Sequence, residues 1–82
     1  MTGPGGAGDA GERERRMTVV AVRALADHTE VMFAESARIY LLRPGAPGYA
    51  ETQRRLQRAL GGGRPVRVRF DRPNGEIIEQ VE

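Results

Sequence analysis

The stretch from Tyr49 to Leu60 constrains this chain most, because it reads as the one helix and divides the strand-like segments into three before it and two after it. Tyr49, Gln53, Leu56 and Leu60 recur at helical spacing on one stripe, with Thr52 and Ala59 beside them. Arg54, Arg55 and Arg58 fall on the opposite side with Glu51 and read as a solvated face. Glu51 precedes Arg55 by one helical turn, the favourable order for a surface ion pair. Pro44, Pro47 and Gly48 form an approach through which a helix cannot extend backwards. Gly61, Gly62 and Gly63 stop it, since glycine accepts the left-handed geometry of a helix end.

The strands follow from alternation. Met17 to Ala26 predicts the first, apolar on both faces through Val19, Val20, Val22 and Leu25. Such a strand is either sandwiched or curled to serve two sheets. Asp27-His28 makes a tight turn into Thr29–Glu35, with Val31 and Phe33 on one face and Glu30, Met32 and Ala34 on the other. Ala37 to Leu42 is the third strand, where Ile39 and Leu41 share one face and Arg38, Tyr40 and Leu42 the other. After the helix, Pro65 to Phe70 alternates Val66, Val68 and Phe70 inward with Arg67 and Arg69 outward. Pro73-Asn74-Gly75 predicts a hairpin turn with its glycine left-handed, and Glu76 to Val81 returns with Ile77, Ile78 and Val81.

Length and composition bound the rest. A chain of 82 residues has room for one domain. Residues 1–16 hold five of the 11 glycines and no large apolar residue besides Met1, which predicts a disordered tail and a domain over 17–82. Met17 stands where the first strand begins and reads as an alternative start. The absence of cysteine removes disulfide staples and thiol chemistry and fits a cytoplasmic protein. No apolar run approaches the roughly 20 residues of a membrane span. All 13 basic residues are arginine, and formal net charge is +2. Arginine, glycine, alanine and proline are together plentiful, as GC-rich bacterial codons favour, so the placement of arginines carries more than their number.

The order β-β-β-α-β-β over Met17 to Glu82, with a two-faced first strand and a helix carrying Tyr49, Leu56 and Leu60, resembles the oligonucleotide/oligosaccharide-binding (OB) fold. That resemblance implies a mainly β protein with one helix: a small five-stranded OB-like barrel with the helix between strands three and four, plugging one end. Another small SH3-like barrel, or an open antiparallel sheet with the helix on one face, fits the same order. The surplus of large apolar residues, with Ile39 to Leu42 apolar on both faces, suggests a homodimer covering an exposed face.

One histidine, one serine and no lysine leave little for nucleophilic or metal chemistry, and the expectation is a non-enzymatic protein with no cofactor and no metal. Gly61-Gly62-Gly63-Arg64 precedes a strand and lacks the lysine of a phosphate-binding loop. The candidate ligand is single-stranded nucleic acid, DNA or RNA, which needs a basic groove and stacking rings. Arg38, Tyr40, Arg64, Arg67, Arg69 and Arg72 are the candidate contacts, since Arg67 and Arg69 project from strand four, Arg64 and Arg72 flank it, and OB-fold binders use the face of strands two and three. The structural reading of the same arginines is cross-strand pairing with Glu76 and Glu79. The competing function is a protein-interaction or homodimerising module, using an edge strand or an apolar patch around Tyr40 and Leu42. The two demand different surfaces: nucleic acid needs Tyr40 exposed among free arginines, and protein contact needs those arginines paired with glutamates.

Overall fold

A computed structural model describes residues 13–82. The elements are β1 (Glu14–Ala24), β2 (Thr29–Phe33), β3 (Ile39–Leu42), α1 (Tyr49–Gly62), β4 (Pro65–Phe70) and β5 (Ile78–Val81), in the expected order β-β-β-α-β-β. The strands form one sheet in the order β3-β2-β1-β4-β5, with every neighbouring pair antiparallel.

β1 explains its two apolar faces. Its first half, Glu14 to Thr18, pairs with β4, and its second half, Val19 to Ala24, pairs with β2. The register slips between Val19 and Ala21, so Val20 and Ala21 together lie opposite Met32. A bulge bends a strand and increases its twist, and this one sits where β1 changes partner. The sheet curls until its outer strands meet at a single parallel bridge, Leu41 to Ile77, where the Leu41 N–H donates to the Glu76 carbonyl at 2.8 Å. The result is a partly open barrel.

β1 begins three residues before the expected start: Glu14, Arg15 and Arg16 pair with Arg69, Val68 and Arg67, so the domain reaches upstream of Met17. The expected disorder of the tail otherwise lies outside the described residues. β2, β3 and β5 are shorter than alternation suggests: β2 stops at Phe33, β3 starts at Ile39 and β5 starts at Ile78.

The core joins Met17 and Val19 of β1, Val31 and Phe33 of β2, Tyr40 and Leu42 of β3, Val68 and Phe70 of β4, and Ile78 and Val81 of β5, closed by Leu56 and Ala59 of α1. α1 packs on β1 and β5 and runs two residues further than expected. Gly63, at φ 68°, is the left-handed residue that ends it, with its N–H donating to the Ala59 carbonyl at 2.9 Å. The buried positions are Thr52, Leu56 and Ala59, and Leu60 is 37% exposed. At about 100° per residue, the buried stripe is therefore turned by about 60° from the one centred on Tyr49 and Leu60. Thr52 and Ala59 are small and let the helix lie close to β1. Tyr49 stays at the border, where its hydroxyl bonds the Thr29 hydroxyl at 2.8 Å.

The β4–β5 turn corrects a second detail. Asn74, not Gly75, takes the left-handed conformation, at φ 62°. Asparagine tolerates that region better than most residues. Gly75 is required for space: a Cβ there would collide with the Asp71 carboxylate and lie 3.0 Å from the Arg72 carbonyl oxygen. Its N–H closes the turn on that same carbonyl at 2.9 Å.

Candidate interaction surface

The six residues expected to contact nucleic acid do not form one exposed basic and aromatic surface. Tyr40 is 1% exposed. Its ring lies between Phe33, edge-on at 5.3 Å, and Phe70, tilted at 5.1 Å, and its hydroxyl donates to the Ser36 hydroxyl at 3.0 Å. No base can stack there. The apolar patch expected around Tyr40 and Leu42 is likewise interior, because both residues belong to the core.

Arg38 is held at the seam between β3 and β5. Its guanidinium reaches Glu76 at 2.8 and 3.2 Å and the Asn74 carbonyl at 3.2 Å, and lies 5.7 Å from the centre of the Tyr40 ring. The Glu76 carboxylate raises its pKa above the ordinary arginine value. Arg67 pairs with Glu82 at 3.4 Å and Arg69 with Glu79 at 3.8 Å. Cross-strand pairing thus holds for Arg69 and Glu79, while Glu76 serves Arg38 and Arg67 takes Glu82. Arg64 and Arg72 have no carboxylate partner among the described residues; they stand before and after β4, at opposite ends of the strand.

What the surface does present is aliphatic. Val20 is 50% exposed, Met32 40% and Ile39 47%. Met32 and Ile39 are register partners across β2 and β3, and Met32 faces the Val20–Ala21 bulge of β1. They form a continuous apolar row on the outer face of the sheet. At one end of that face, around the β1–β2 turn, are Asp27, Glu30 and Arg23; His28 bonds Asp27 at 2.7 Å and lies 3.6 Å from Glu30. At the other end are Arg16 and Thr18.

Thr18 anchors the β2–β3 turn. Its N–H and hydroxyl donate to the two Glu35 carboxylate oxygens at 2.7 and 2.8 Å. The Thr18 backbone bond, then its hydroxyl, hold the Glu35 pKa below the ordinary carboxylate value. The sign follows: a depressed folded-state pKa contributes stability above the unfolded value of about 4.5, which is lost as pH falls through the folded value. Glu35→Gln is therefore expected to be less stable than the parent chain at pH 7 and to converge with it in strong acid. Thermal melts of both proteins from pH 7 to pH 2 check this, and a constant gap would refute it.

Among the described residues, no group of three or more His, Cys, Asp or Glu gathers to hold a metal ion, and no helix is long and apolar enough to cross a membrane.

These features define a small mainly β domain with one helix and a partly closed five-stranded sheet. No family model and no curated protein matches the sequence. Among solved structures, the chain is similar in fold to a pro-protein-glutaminase, with a TM-score of 0.72 and 20% identity, over 85% of this chain and 25% of that one. This chain thus spans about a quarter of the length of that protein. The likeness corrects the expectation of a non-enzymatic protein: a similar fold forms part of a chain named as an enzyme.

Proposed function

We propose that the chain is an OB-type barrel that works as a protein-interaction module, and that the outer face of β1, β2 and β3 is occupied by a second copy of itself. The carrying observation is the exposed row of Val20, Met32 and Ile39. The strand order, the parallel bridge between β3 and β5, and the helix between β3 and β4 support the OB assignment. The row lies on the sheet face where OB-type domains receive ligands, but it offers methyl and thioether groups in place of aromatic rings. Aliphatic surface is buried well by protein and poorly by bases.

A second copy suits the row's own chemistry, since two such rows can cover one another across a two-fold axis through Met32. Single-stranded nucleic acid has less support, since its one available ring is buried and Arg38, Arg67 and Arg69 are engaged by carboxylates.

Sedimentation of the full chain across micromolar to millimolar concentration is expected to show a monomer–dimer equilibrium. Ile39→Glu should weaken it at least about tenfold, because burying an unpaired carboxylate is costly, with the melting temperature of the monomer little changed. A chain that stays monomeric throughout, or an Ile39→Glu variant that dimerises equally well, overturns the reading.

A further inference from the structure

A groove of about 590 Å³ runs between the C-terminal half of α1 and the start of β4. Arg55, Arg58 and Arg64 line it above a floor that includes Ala59 and Val66, and Glu82 is the carboxylate on its rim. That carboxylate is already engaged by Arg67 at 3.4 Å. Arg55 is fixed in place: one guanidinium nitrogen donates to the Val81 carbonyl at 2.8 Å and another meets Glu51 at 3.3 Å. Arg58 and Arg64 have no carboxylate partner among the described residues.

Arg55, Arg58 and Arg64 thus line one groove in which Arg55 is answered by Glu51, Glu82 is shared with Arg67, and the charges of Arg58 and Arg64 are left uncompensated among the described residues. The helix end offsets this in part through its free carbonyls, but Gly63 already covers that of Ala59. Like charges gathered in a groove repel one another unless an anion joins them. We propose that this groove binds a phosphate group. A phosphate monoester carries about −1.5 to −2 charge near neutral pH, closer to what the two uncompensated arginines, Arg58 and Arg64, require than the single charge of a carboxylate. Arginine's planar fork matches its oxygens in pairs. Arg55, already oriented, supplies the fixed side of the clamp, and Arg58 and Arg64 close on the ligand from the helix and from the strand. The apolar floor accepts the body that the phosphate is attached to. The groove shares no lining residue with the Val20–Met32–Ile39 row, and the proposal stands whether or not a second copy covers that face.

The test is a titration of isotope-labelled full chain, followed by NMR, with inorganic phosphate, adenosine 5′-monophosphate and adenosine, at ionic strength held constant with chloride. Amide shifts at Gly62, Arg64 and Val66 are expected to saturate with the two phosphates and not with adenosine. Equal affinity for the two phosphates assigns the site to the free ion; tighter binding of the nucleotide assigns it to a phosphorylated body. In the Arg58→Gln/Arg64→Gln variant, whose substituted side chains are exposed, affinity should fall about tenfold or more, with an unchanged melting temperature. Absence of saturable shifts, equal shifts with chloride alone, or undiminished affinity in the double variant overturns the proposal.

Discussion

Tyr40→Ala is expected to lower the unfolding free energy by about 3–5 kcal/mol, the range for removing a large aromatic side chain from a packed core. Small domains have about 5–15 kcal/mol in total, so this variant should be largely unfolded at modest denaturant concentration. The size of the effect follows from position: the ring stands between Phe33 and Phe70, joining β2, β3 and β4 in one aromatic cluster. Tyr40→Phe separates ring from hydroxyl. It forfeits the bond to Ser36 and is expected to cost about 0.5–1.5 kcal/mol. Urea denaturation of the three proteins measures both. A small loss for Tyr40→Ala would mean that the ring is not interior, and would return it to the candidates for ligand stacking.

The second large effect separates two leucines that look alike in sequence. Leu56 is fully buried and is the large apolar side chain through which α1 closes the end of the barrel. Leu56→Ala is expected to cost about 2–5 kcal/mol, combining lost transfer energy with a cavity. Leu60 is partly exposed at the margin of the helix, and Leu60→Ala should stay within about 0.5 kcal/mol of the parent. Denaturant melts of the pair test the rotation of the helix directly. Comparable losses at both positions would place the helix as its hydrophobic stripe first suggests.

The same rotation shows how far the sequence could be read. Element order is legible, because the alternation in β4 and the glycine run after α1 mark their elements plainly, whereas the two-faced β1 leaves open whether the strand is sandwiched or curled. The facing of α1 is legible only in part: Leu56 lies on the apolar stripe and Thr52 and Ala59 beside it, but only packing against the sheet turns those two small residues inward and Leu60 outward. In β3, alternation grouped Tyr40 with Leu42 and Ile39 with Leu41, yet both sets are apolar enough to face inward. The packing of Tyr40 against Phe33 and Phe70 decided it, and that depends on strands distant in sequence. Pairing of Arg69 with Glu79 could be anticipated within one hairpin. The Arg38–Glu76 pair could not, since it crosses the seam between β3 and β5. Arg55 and Arg58 read as a solvated face and are exposed, as expected; what the sequence does not show is that they line one groove with Arg64, since that depends on how the helix end sits against β4.

The seam has a further consequence, for aggregation. The outermost strands of a sheet are where a foreign or misfolded chain can add itself through free backbone groups. Here those strands, β3 and β5, are four residues each and lean on one another. The Leu41 amide is already taken by the Glu76 carbonyl, and the Arg38 side chain is latched across the gap to Glu76 and Asn74. Little strand is left open for templated growth. A protein built this way offers little of the open-ended strand edge from which fibrils are made.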